Sequence, residues 1–224
     1  MLTRMKINRG WGVAVLGLGV MVGGCSSLEY KVRESFGQHK RELLVDRVGD
    51  AKDSQESAKK EFISALAQFK NVTGFDGGDL ERKYDDMKAE FDRCESRAED
   101  VRKRINAVDD VAKAMFREWE GELAQYSSPS LRQTSERQLQ QTKQAYDRLL
   151  SVMRAAAGRM DPVLATFRDQ VLFLKHNLNA RAISSLGGIT NELQRNDDVL
   201  VADMERAIAD ANRFIETMQA PPAG

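Results

Sequence analysis

Stepping alternately by four and three residues from Leu80 to Tyr126 lands on an apolar or aromatic side chain at thirteen of fourteen positions, Glu122 being the exception. A 3.5-residue period held over six heptads turns one narrow face of a helix toward a partner, which is the pattern of a left-handed coiled coil. Strands alternate with period two, and nothing in this stretch does so. Off the seam, Glu99 precedes Lys103 by four residues and Asp100 precedes Arg104 by four, the order that supports an exposed helix face. Cys94 falls on the seam, so it is expected inside as a small apolar side chain.

The same stepping recurs three times. Before the long seam, Leu44, Val48, Ala51, Gln55, Ala58, Phe62, Ala65, Phe69 and Val72 follow it with one polar member. Gly74, Gly77 and Gly78 then end that helix, and Asp79 is placed to cap the next. After the long seam, Ser127-Ser-Pro-Ser130 ends the second helix, and Ser130 with Gln133 reads as a capping box. A third seam runs from Leu139 through Tyr146, Met153, Met160 and Phe167 to Leu186, with Pro162 inside it. Asp161-Pro162 could open a new helix, but the apolar phase crosses the proline unbroken, and Gly158 occupies the position where the ring would clash. A kink is favoured over a break. Gly187-Gly188 is expected to end that helix, and a fourth seam runs from Leu193 through Asp197 and Leu200 to Met218.

Short connections make antiparallel neighbours. The expected fold is therefore all-α: an elongated antiparallel coiled-coil bundle of three long helices plus a shorter fourth, over residues 29–219, followed by a frayed tail at 220–224. With a first helix of about 42 residues and a shorter fourth at ~1.5 Å per residue, the bundle is expected to be three-helical near its base.

The front of the chain is of another kind. Arg4, Lys6 and Arg9 precede an apolar run from Trp11 to Val22, too short for the roughly 20 residues a spanning helix needs. Val22-Gly23-Gly24-Cys25 follows, and it resembles the bacterial lipobox, with Val22 where Leu is commonest. The expectation is a signal peptide at 1–24, lipidation at Cys25, and a short linker at 25–28. Ser26 resembles the residue found on lipoproteins sorted to the outer membrane, so the periplasmic face of that membrane is the expected location. The membrane is then a partner through the anchor, since acyl chains supply ~0.8 kcal/mol per buried CH₂. With Cys25 acylated, Cys94 has no intramolecular partner and must be buried or paired with another chain.

Charge and composition exclude several classes. The whole chain has 34 Lys and Arg against 34 Asp and Glu. Loss of the three front bases leaves 31 against 34, a field that opposes nucleic acid as a partner. Two histidines, His39 and His176, lie far apart with no ligand-spaced neighbour, so no metal is expected. Asp76 and Asp79 sit near glycines but lack calcium-loop spacing and read as a capped turn. There is no nucleophile-elbow or phosphate-loop pattern, and carboxylates at helical spacing read as a solvated face of ordinary acidity. No enzymatic activity, cofactor or small-molecule substrate is expected.

Three segments carry a resemblance. These are His39 to Val48, Phe75-Asp-Gly-Gly-Asp-Leu80 within Asn71 to Leu80, and Pro162 to Ile183. They resemble an uncharacterised family of proteobacterial lipoproteins (domain of unknown function 2959), over nearly all of the chain after the signal peptide. The resemblance implies a lipidated, helical, coiled-coil-rich envelope protein, with no activity or site residues to carry over.

The segment Lys175-His-Asn-Leu-Asn-Ala-Arg181 is the one polar cluster that a seam does not explain, because Asn is a poor helix former. His176, Asn177, Asn179 and Arg181 read as a docking surface for an envelope protein, as a buried polar layer fixing register, or as an exposed face with incidental asparagines. The expected function is a lipid-anchored helical scaffold or interaction protein. A holdase-like periplasmic chaperone is the alternative, though it would want a cavity or exposed apolar arms.

Overall fold

The computed structural model describes residues 40–74, 79–177 and 179–220, the side chains of Ala180 and Ser184 excepted. Residues 1–39, on which the expected signal peptide, the lipidation at Cys25 and the linker fall, residues 75–78, Leu178 and residues 221–224 lie outside these. The described residues form five helices and no strand: α1 (Lys40–Thr73), α2 (Leu80–Leu123), α3 (Pro129–His176), α4 (Ala180–Ser185) and α5 (Gly187–Gln219).

The four seams supply the core, except that the second seam ends before its last two members: Glu122 and Tyr126 are exposed. Every residue of the first, from Leu44 to Val72, is buried, and so are Phe91 and Ile105 of the second and Leu193 to Met218 of the fourth. The packing is broader than an a/d seam: Val111 and Phe116 on α2, and Leu150, Ala157 and Leu164 on α3, are buried beside it. The reason is topological. α1 packs on α2 and α5, and α3 packs on the same two, so the helices stand at the corners of a square. Each helix then meets two neighbours and the centre, which demands an apolar stripe wider than a pairwise coiled coil needs. The diagonal pair also touches, since the rings of Phe69 on α1 and Phe167 on α3 meet edge to face with centroids 5.7 Å apart.

The caps follow local chemistry. Asp79 Oδ1 accepts from Arg82 N at 3.1 Å at the start of α2, as its position predicts. The start of α3 differs from expectation. Ser128, not Ser130, is the cap, and its hydroxyl accepts from Leu131 N. The physical cause is Pro129, whose fixed φ suits the first helical position and whose missing N–H is no loss there. Trp119 Nε1 donates to Ser135 Oγ at 2.8 Å and ties the two helices just inside this turn.

α5, with 33 residues, is the shortest of the four long helices, as expected, though only one residue shorter than the 34 described residues of α1. At the start of the described part of α1 the end of α5 already lies beside it, where Arg41 Nε donates to Met218 O at 2.8 Å; the residues expected to form a three-helical base lie outside the described ones. α2 (44 residues) and α3 (48 residues) are the long pair. α3 runs unbroken across Pro162. Gly158 and Pro162 are both exposed, so the carbonyl that the proline leaves unbonded points where water can serve it.

Charge then sets which helix lies beside which. α3 has eight Lys and Arg against four Asp and Glu, while its neighbours α2 (ten against thirteen) and α5 (three against seven) are acidic. The ion pairs run along these interfaces: Arg102–Asp161, Arg168–Glu95 and Lys143–Glu120 between α2 and α3, and Arg159–Asp203 between α3 and α5. Exposed pairs of this kind contribute little each, about 0–1 kcal/mol, but they distinguish the observed arrangement from its alternatives.

Candidate functional site

The polar segment after α3 is a helix break, where the sequence reading had the third helix continue to Leu186. α3 stops at His176, and Asn177 adopts φ −134° and ψ 51°, with its side-chain Nδ2 donating back to Phe173 O at 2.9 Å. Asn179 takes an extended conformation and its Oδ1 accepts from Ala182 N at 2.9 Å, so it caps α4. The cause is the property already noted: asparagine side chains compete with the backbone for hydrogen bonds and favour helix ends. Gly187 accordingly does not end a helix but begins α5.

His176, Asn177, Asn179 and Arg181 are all exposed, so they form no buried polar layer. Beside them Leu172 and Phe173 are 51% and 40% exposed, an apolar pair on the outer face of α3. Ala182, Ile183 and Leu186 are buried and hold the short α4 against the bundle. Asn179→Ala is expected to lower stability by about 1 kcal/mol through loss of the cap. Thermal denaturation followed by circular dichroism checks this. An unchanged midpoint would mean that Asn179 does not hold α4.

A second polar cluster lies toward the other end. Asp109 on α2 accepts from the Tyr146 hydroxyl at 2.6 Å, from Arg154 at 2.7 Å and from Lys113 at 2.9 Å. Burial pushes its carboxyl up, but these three donors outweigh burial and hold it below its ordinary value. Burial, together with Asp109, raises the Tyr146 hydroxyl. The ring of Tyr146 meets Phe116 edge to face at 5.4 Å. A hydrogen-bonded carboxylate held between two helices this way orders the interface. The 4-3 stepping could not reveal it, because Asp109 lies one residue off the seam position Val108.

The seams do contain one carboxylate whose acidity burial changes, against the expectation that all were ordinary. Asp197 is 2% exposed, and its Oδ1 has no hydrogen-bond partner. Burial, with Asp198 adding to it and Lys70 opposing, pushes it up to about 6. Gln55, the polar member of the first seam, donates from Nε2 to Met153 O at 3.5 Å and leaves Oε1 unpaired. Cys94 is buried as expected. Burial, aided by Glu61, Glu90 and Asp197, pushes its thiol well up, so it is not a ready nucleophile.

Near Arg41 and Met218 an open groove of about 970 Å³ is lined by Trp119, Arg137, Phe214 and Met218 among others. No group of three His, Cys, Asp or Glu among the described residues is arranged to hold a metal. No described helix is long and apolar enough to cross a membrane.

Comparison with known proteins adds one relationship. No curated protein matches the chain. A family model does, over residues 29–218, which takes in all five helices but for the last residue of α5, and the chain belongs to that family, described as "Protein of unknown function (DUF2959)".

Proposed function

We propose that the chain is a lipid-anchored helical scaffold or interaction protein of the bacterial cell envelope, held at the membrane through Cys25 and engaging a protein partner at the far end of the bundle. The observation that carries this reading is the pairing of a closed core with an exposed polar and apolar tip. The four seams are buried against one another over most of their length, so the bundle spends most of its apolar surface on itself. What it offers outward at the α3–α4 break is Leu172 and Phe173 beside His176, Asn177, Asn179 and Arg181. A few apolar side chains rimmed by polar groups is the usual make-up of a small docking site. This favours a scaffold over a holdase, which would keep apolar surface open to clients.

The chain carries no pattern for catalysis, and the reading involves no nucleic acid, metal or small-molecule substrate. The outer membrane, periplasmic face, is the proposed location.

Two experiments separate the parts of the proposal. A fatty-acid probe fed to growing cells is expected to label the wild type and not Cys25→Ala; equal labelling of both would remove the anchor. A photo-crosslinker at position 177 in intact cells is expected to capture a discrete partner, and replacing Leu172 and Phe173 by serine should abolish that product. A smear of many unfolded proteins would favour the holdase reading instead.

A further inference from the structure

Asp197 occupies a seam position of α5, one turn from Leu193 and Leu200, which are both fully buried. Its Oδ1 meets no donor. A desolvated carboxylate without a donor is stable only while it is protonated. The charged and titratable groups on the helices packed around it do not change this. On α1, Lys70 draws it the other way but is itself bonded to Gln194 Oε1. On α2, Cys94 is a thiol whose own ionisation Asp197 opposes, and Glu90, paired with Arg93 through Oε1 and with Oε2 buried without a donor, offers no positive charge. On α3, Arg168 is committed to Glu95 and to the face of Phe91. On its own helix, Asp198 repels its charge.

The segment that bears Asp197 is also weakly terminated. α4 has six residues and is set off from α3 by the break at Asn177. α5 begins at Gly187 with no side-chain cap, and nothing lies within 4 Å of where a Cβ would stand at Gly187 or Gly188. The first four N–H groups of a helix need outside partners, and no side chain caps this end. A local opening here breaks the contacts of Ala182, Ile183, Leu186, Leu193 and Asp197 and the Lys70–Gln194 hydrogen bond, and leaves the rest of the bundle in place.

We propose that α4 and the first three turns of α5 form a pH-operated latch, held on the bundle more firmly while Asp197 is protonated and opening more often once it ionises. Opening uncovers Ile183, Leu186 and Leu193, which are buried while the latch is seated, and so enlarges the apolar surface at this end of the bundle. The latch depends on the bundle geometry alone and not on the proposed anchor or partner.

Amide hydrogen exchange on the purified chain tests it, comparing 183–200 with the middle of α2 (101–112) and correcting for intrinsic rates. Between pH 5 and 7.5 the protection of 183–200 is expected to fall about tenfold relative to α2, since the opened segment releases the proton at the ordinary carboxylate value. In Asp197→Asn the ratio should be the same at both pH values. Constant protection in the wild type, an equal fall in both segments, or a fall that persists in Asp197→Asn would each overturn the latch.

Discussion

Phe167→Asp is expected to unfold the bundle at ordinary temperature. Phe167 is 1% exposed and its ring packs edge to face on Phe69 across the diagonal of the square. Truncating a buried phenylalanine costs about 3–5 kcal/mol, and the lost aromatic pair is part of that loss. The introduced carboxylate adds the cost of a buried charge with no partner, several kcal/mol more unless it takes up a proton. A domain of this size is stable by roughly 5–15 kcal/mol, so one substitution removes most or all of it. Loss of the helical circular dichroism signal at 25 °C, or a urea midpoint near zero, is the expected result. A midpoint close to wild type would show that the diagonal contact is not part of the core.

The second large effect has the opposite sign. Asp197→Asn is expected to raise stability at pH 7.5 by about 3 kcal/mol, because the wild-type carboxyl must ionise inside the seam. The folded value is about 6 and the ordinary value 3.8, a difference worth about 1.4 kcal/mol per pH unit. Between those two values the folded state binds more protons than the unfolded one, so wild-type stability falls as pH rises through that window. Above about pH 6 the full penalty is present; below about pH 4 it vanishes. Chemical denaturation of both proteins across pH 4 to 8 should show curves that converge at the acid end and separate above. Parallel curves, or a less stable variant at pH 7.5, would mean that Asp197 has a partner when ionised.

Much of this architecture is legible in the residues, and the parts that are not share a cause. The seams could be read because a 3.5-residue period needs only the local sequence, and the burial of Phe62, Ile105 and Met204 follows from it. The Asp79 cap was legible for the same reason. Which helix lies beside which was not, since antiparallel order alone does not decide between a square and a layered arrangement. That depends on side chains far apart in sequence, such as Arg159 with Asp203. The end of α3 was misread because the apolar phase runs on through Ala182 and Leu186. Two asparagines outweighed that phase by bonding Phe173 O and Ala182 N instead. Asp109 was invisible as a cluster because its partners Tyr146 and Arg154 lie on another helix, whereas Asp197 stood in the seam itself and its polarity there was the clue to the buried acid.

The contact between Arg41 and Met218 has a consequence for connectivity. Going round the square, each of the four long helices is followed by its next neighbour in sequence, and the last returns to lie beside the first. The order is a cycle with no diagonal crossover, so the chain has no privileged starting helix as far as packing is concerned. A covalent link between the regions around residues 40 and 220, with the chain opened anywhere between Thr73 and Asp79, would describe the same set of interhelical contacts. The two ends of the described chain also share one pole of the molecule. Whatever is attached at either end leaves the opposite pole, with the α3–α4 break and Asp197, facing away.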